Sequence, residues 1–331
     1  MNRTEWKNYK KNNLNLVWRT ANIGWNKTLP FKRPLMSFLK KNFSPEKMYF
    51  KVQKLKFMLS RKAVIPCLEY VVTTKCTMNC KHCNTFIPYF SEKTHFKPVT
   101  FEDFKKDIDT LLKAVDYIDY FGFVGGEPLL AKDLAKMIKY VCSKRKIHHI
   151  FLATNCTMNL SQELLNVMKN KKFAVQLSDY RDVKLKNGLT VKYEEYKKIL
   201  KDNGILFSHP QETGNRMTFQ SMPELYRDTQ DSDKMTKVFD NCWGQYCQML
   251  CDGILTQCTL SVFISRTMEL TPEIKSELVN IREKKSSRKL ADEIIKFYAK
   301  PYSAFCHYCH TENIVYGLPV GEQAEVEECK I

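Results

Sequence analysis

Cys76, Cys80 and Cys83 fall within eight residues of one another in TTKCTMNCKHCN. Three thiolates at C-x3-C-x2-C spacing on a short loop can grip three irons of a [4Fe–4S] cube and leave the fourth without a protein ligand. An iron with an open position can bind a substrate or cofactor. The competing reading, a zinc knuckle, needs a fourth ligand, and His82 would serve only in a cramped geometry. A second thiol group runs from Cys242 through ten residues to Gly253, then four more to Cys258, with Cys306 and Cys309 following after another 47. Four such thiolates complete an iron–sulfur cluster or a structural zinc site. Cys247 and Cys251 lie inside this group. Each reads as a small buried hydrophobe or as a hydrogen-atom donor that quenches a carbon radical from the opposite face and inverts a stereocentre. In Gly125, Gly126, Glu127 and Pro128, the glycines let the backbone approach a ligand and the glutamate offers an acceptor for an ammonium group. Arg181, beside Tyr180 in LSDYRD, could bind an anionic substrate group, assist a deprotonation or simply lie on the surface.

Such groups need a frame. From residue 67 the pattern is strand then helix, five times over. CLEYVVT (67–73), IDYFGFV (118–124), HIFLAT (149–154), FAVQLS (173–178) and GILFS (204–208) read as strands. Thr100 with Asp103 resembles a capping box opening a helix with Phe104, Ile108, Leu111, Leu112 and Val115 on one face. Leu134, Met137, Ile138 and Val141 mark a second helix, and 161–170 and 193–202 are expected to be helical. Five units imply a parallel α/β sheet with right-handed crossovers, either open or closed into a barrel. The cysteine trio follows the first strand, GGEP the second, Thr154 and Asn155 end the third, and Ser178 ends the fourth. All therefore meet at the C-terminal edge of the sheet, where such folds put their chemistry. After about residue 210 the periodicity weakens, with helices expected near 272–282 and 287–299.

Composition narrows the class. With 44% hydrophobic and 12% aromatic residues over 331 positions, the chain suits a packed protein rather than a disordered one. Thirteen cysteines, an odd count in clusters, point to metal binding or catalysis rather than a disulfide framework. No stretch approaches the roughly 18 apolar residues of a membrane span, and no apolar segment follows the basic N-terminus, so a cytoplasmic location is expected. The net charge of +17 is uneven, because residues 1–62 hold 16 Lys/Arg against Glu5 and Glu46. Specific nucleic-acid binding by the main body gets no support from charge. In the basic segment Trp6, Trp18, Trp25, Phe31, Phe38 and Phe43 interleave with lysines, and Ser44-Pro45-Glu46 looks like a helix start. Met48, Val52, Leu55 and Leu59 would form one apolar stripe, packed on the body or used for interfacial or partner docking.

The cysteine spacing, with KHC before the last thiolate and GGEP one crossover later, resembles the signature of the radical S-adenosylmethionine (SAM) superfamily. The resemblance implies a partial (β/α)6 TIM-type barrel and a [4Fe–4S] cluster whose fourth iron is chelated by SAM. Reductive cleavage of SAM then gives a 5′-deoxyadenosyl radical that abstracts a substrate hydrogen. It also implies that Gly125, Gly126, Glu127 and Pro128 meet the SAM amino group, and that Thr154, Asn155 and Ser178 contact its methionine or ribose. The C-terminal group resembles the twitch half of a SPASM domain, implying that Cys242, Cys258, Cys306 and Cys309 hold a second, auxiliary [4Fe–4S] cluster. The expected organisation is a basic helical extension (1–62), a radical SAM partial barrel (63–239) and a SPASM/twitch-like region (240–331).

From Ile65 onward the chain looks like radical SAM proteins of polysaccharide and aminosugar biosynthesis. That likeness implies oxidation or epimerisation at a carbinol carbon of a sugar, nucleotide sugar or cyclitol, with a flavodoxin or ferredoxin-type electron donor. The rivals are a SPASM-type peptide-modifying maturase and a zinc-stabilised nucleic-acid-binding protein, the latter leaving GGEP unexplained. For the basic extension, three uses stay open: docking an acidic electron donor, peripheral contact with an anionic membrane, or binding substrate phosphate.

Overall fold

The computed structural model describes residues 62–181, 183–186, 188–208, 219–220, 226–227, 231–242, 244, 247–310 and 314–325. The expectations for the basic extension up to residue 61 lie outside these residues.

The apolar run AVIPCLEYVVT forms β1 (Ala63–Thr73), the middle of the sheet and buried along nearly its whole length. Thr100 accepts a hydrogen bond from the Asp103 amide and so opens α1 (Phe101–Ala114). Then follow β2 (Val115–Gly125), α2 (Leu134–Cys142), β3 (Ile147–Thr154), α3 (Gln162–Met168), β4 (Phe173–Leu177), α4 (Tyr193–Asp202) and β5 (Leu206–Ser208). These five strands lie side by side in chain order, every neighbouring pair parallel. Leu68, Tyr70 and Val72 face the helices, joining Phe104, Ile108, Leu111 and Met137 in the main core. Cys67 and Val71 point the other way, packing with Tyr120, Val124 and Phe151 on the inner face.

The C-terminal part is built into the same sheet. After β6 (Phe219–Gln220) and α5 (Ser232–Asn241) comes β7 (Cys247–Cys251), which pairs parallel with β1 on the side opposite β2. The sixth parallel strand therefore flanks the first strand instead of extending the sheet beyond β5. An Asp252-Gly253 turn, with both residues at positive φ, folds β7 back onto β8 (Ile254–Thr256). Two residues in that conformation are what a tight hairpin requires. Next come α6 (Thr259–Thr267), α7 (Pro272–Lys275), β9 (Val279–Asn280), α8 (Ser287–Ala299) and β10 (Tyr316–Leu318), which pairs with β6. The helix expected over 272–282 is thus only four residues long. Its continuation is drawn into the sheet by pairing of β9 with β8.

Asp107, fully buried on α1, locks these parts together. It accepts two bonds from Arg282 at 2.7 and 2.9 Å and one from the Tyr70 hydroxyl at 2.9 Å, while Arg282 also reaches Asp252 at 2.8 Å. The molecule is thus a mixed α/β fold with a parallel-dominated sheet, of the partial-barrel type, carrying a cysteine-rich C-terminal region. Among the described residues no helix is long and apolar enough to cross a membrane.

Candidate active site

The loop bearing Cys76, Cys80 and Cys83 leaves the C-terminal end of β1. It is shaped by a left-handed Asn79 (φ 50°) and by Cys83 N–H donating to the Cys80 carbonyl at 3.1 Å. The turn after β2 is fastened directly to it. Gly126 N–H donates to Thr73 O at 2.8 Å and Glu127 N–H to Lys75 O at 2.9 Å. A Cβ on Gly125 would sit 2.1 Å from Thr73 O, and one on Gly126 2.0 Å from Lys75 O. Both positions therefore need glycine, and the partner they approach is the backbone of the cysteine loop.

The Glu127 side chain is held within the fold. It is wholly buried, and its carboxylate accepts from Leu129 N at 3.1 Å, Thr154 Oγ1 at 3.0 Å and Asn155 N at 2.8 Å. Burial raises its carboxyl to about 7, against those three donors. The carboxylate thus staples the end of β2 to the end of β3. Thr154 and Asn155 are engaged likewise. The Asn155 amide donates to Thr77 Oγ1 at 3.0 Å and lies 3.7 Å from Cys76 Sγ, and Thr77 and Thr157 hydroxyls pair at 2.6 Å. Ser178 N–H donates to Thr154 O at 3.0 Å, so the ends of β3 and β4 join the same network.

Across from this loop, Cys242, Cys258, Cys306 and Cys309 converge on one cavity of about 120 Å³, whose lining also includes His82, Asn84 and Phe86 of the trio's loop. Cys258 caps α6, and the Ser261 hydroxyl accepts from its amide at 3.0 Å. Helix N-termini favour negative charge, which suits a thiolate there. Burial pushes Cys76 up to about 11, and burial together with neighbouring Cys242 pushes Cys258 up to about 11. Among the described residues, neither set has three ligand atoms within 4.8 Å of one another.

Residues 70–207 match the family model of the Radical SAM superfamily. These residues are a radical SAM domain. Such a domain uses a [4Fe–4S] cluster and SAM. A curated relative, an S-adenosylmethionine-dependent nucleotide dehydratase of Selenomonas ruminantium, is 30% identical over 94 residues, which is 28% of this chain and 31% of that protein. The chain thus spans under a third of that relative's length. Among solved structures, BtrN in complex with AdoMet and 2-DOIA is 13% identical at a TM-score of 0.43, covering 80% of this chain and 97% of that one. AdoMet-bound anSMEcpe is 23% identical at a TM-score of 0.34, covering 44% and 42%. SuiB of Streptococcus suis bound to S-adenosylmethionine is 12% identical at 0.39, covering 72% and 74%.

The remaining candidates separate. Arg181 is not presented to the sheet edge as a free guanidinium. Its fork closes on buried Asp179 at 2.8 and 2.7 Å, with Glu194 at 3.3 Å, and it lies over the Tyr193 ring at 5.0 Å. Cys247 opens onto the cavity of the four thiols, whereas Cys251 opens onto another, with Asp252 and Arg266. One residue of the inner face was missed. Glu69 lines the first cavity beside Cys247. Its signal was a lone carboxylate in an otherwise apolar strand.

Proposed function

We propose that Cys76, Cys80 and Cys83 hold the SAM-binding cluster, that Cys242, Cys258, Cys306 and Cys309 hold an auxiliary [4Fe–4S] cluster, and that the enzyme oxidises or epimerises a carbinol carbon of a sugar, nucleotide sugar or cyclitol. The observation that carries this reading is the shared cavity, bounded on one side by His82, Asn84 and Phe86 of the trio's loop and on the other by the four thiols. When bound, the first cluster and SAM supply a radical that removes hydrogen from carbon.

The chain's own residues do the rest. The Gly125–Gly126 turn and Asn155 fix the trio's loop from two sides, so its thiolates are held before any cofactor arrives. Phe86, stacked on Phe263 at 5.0 Å, together with Ile87, Phe90 and Phe305, excludes water between the two thiol sets. The name of the Selenomonas relative supports a substrate that carries a sugar ring.

The test is anaerobic incubation of the reconstituted protein with SAM, a reductant and the small-molecule fraction of the host in D2O. Formation of 5′-deoxyadenosine is expected. A product two mass units lighter then means dehydrogenation, and one a unit heavier means epimerisation. Absence of 5′-deoxyadenosine even at the uncoupled level would sink the radical assignment of these cysteines, and turnover of a peptide fraction alone would sink the sugar assignment.

A further inference from the structure

β1 and β7 set Cys67 and Cys247 opposite each other as register partners, their sulfurs 3.2 Å apart. Glu69, two residues along β1, returns to the same face. The two sulfurs and one Glu69 carboxylate oxygen all lie within 4.8 Å of one another. No other trio of His, Cys, Asp or Glu converges so tightly among the described residues. All three are buried, at 3%, 3% and 9% exposure for Cys67, Cys247 and Glu69. Their surroundings are apolar, with Val71, Tyr120, Phe151 and Met249 on the same face. Burial and the Cys247 thiol are what act on the Glu69 carboxyl, and no lysine or arginine among the described residues offsets its charge. Glu69 and Cys247 line the cavity, so one direction from the cluster is open.

We propose that Cys67, Glu69 and Cys247 bind a divalent ion of borderline softness, Zn²⁺ or Fe²⁺, through two thiolates and a carboxylate, with a fourth position facing the cavity. Sulfurs on a tetrahedral zinc stand about 3.8 Å apart, so the pair opens by roughly half an ångström on binding. Three protein ligands with one position left open is the pattern of reactive rather than structural ions. The ion also supplies the positive charge that a buried carboxylate otherwise lacks. Its open position takes an oxygen donor. That donor is water at rest and, resting on the reading of the preceding section, a substrate hydroxyl during turnover. Opposed positions about 4.8 Å apart on neighbouring strands would also admit a disulfide, but a disulfide gives Glu69 no role.

The test uses the full chain under anaerobic conditions, with both iron–sulfur sites reconstituted and iron and sulfide counted, titrated with Co²⁺. One equivalent is expected to bind with thiolate-to-cobalt absorption, releasing protons and binding more tightly as pH rises. Cys67→Ser and Cys247→Ser should each weaken the band, the double variant should abolish it, and Glu69→Gln should lower affinity at least tenfold, all at unchanged sulfide content. A band surviving in the double variant, or isolation of the pair as a disulfide under these conditions, overturns the proposal. If the variants misfold, the wild type decides. Zn²⁺ must protect Cys67 and Cys247 from alkylation, and equal labelling with and without Zn²⁺ overturns it. None of these readouts depends on 5′-deoxyadenosine, so a failed radical assignment is told apart from a failed metal site.

Discussion

Replacing Gly126 by alanine places a methyl carbon 2.0 Å from Lys75 O, 2.5 Å from Lys75 C and 3.0 Å from Cys76 N, all backbone atoms that cannot swing aside. The turn must back away. Overpacking of this kind costs about 1–3 kcal/mol. Retreat also stretches the bonds from Gly126 N to Thr73 O and from Glu127 N to Lys75 O, each worth about 1 kcal/mol net. The expected loss is therefore about 3–5 kcal/mol, read by urea denaturation of the anaerobic apoprotein. Because the damage is done at the cysteine loop, reconstituted iron should also fall by about the content of one cluster. Gly188→Ala is the control: its φ is positive, 74°, unlike that of Gly126, and nothing lies within 4 Å of its added carbon. That variant pays only the left-handed backbone cost, about 1 kcal/mol. If Gly126→Ala denatures like Gly188→Ala and keeps its full iron, then close approach of the two loops is not what positions the trio.

Three further outcomes are expected. Asp107→Asn removes the buried charge partner of the Arg282 guanidinium, leaves it only the half-exposed Asp252, and should destabilise by about 3 kcal/mol in the same denaturation assay. Burial, outweighing three donors, raises the folded Glu127 carboxyl to about 7 from an ordinary 4.5. Its contribution to stability is then fully present below pH 4.5 and lost as pH rises through 7, by about 3 kcal/mol; Glu127→Gln should flatten that part of the profile, and an unchanged slope would contradict the inward placement. Cys306→Ala should remove about four irons per chain while slow SAM cleavage persists, whereas loss of both would place Cys306 in service of the first cluster.

The strand–helix alternation was legible because each of β1 to β5 is an apolar run, with periodic helices between, and because Thr100 and Ser161 cap their helices as those residue types do. The meeting of Cys76, GGEP, Thr154 and Ser178 at one edge followed from topology alone. What the sequence hid was decided by distant partners. The burial of Glu127 depends on Thr154 and Asn155, 27 and 28 residues away, so from local residues it read as a ligand acceptor. The pairing of Arg181 with Asp179 was hidden because that carboxylate carries no mark of burial in the sequence. CQMLC shows no strand periodicity that sets it apart, and only the Asp-Gly pair at 252–253, between two apolar runs, marked the hairpin.

The pairing of β7 with β1 has a consequence for how the chain is made. Cys67 waits 180 residues for its partner, and closing so long a loop costs about 4–5 kcal/mol of chain entropy beyond a constant term. At ribosomal speeds of about 5–20 residues per second, the outer edge of β1 stays unpaired for roughly 10–40 s after it emerges. For that interval β1 to β5 can assemble only as a sheet with one raw edge, the kind that templates aggregation. Slow production, cool growth or an edge-shielding chaperone should therefore govern the yield of soluble enzyme more than the stability of the finished fold.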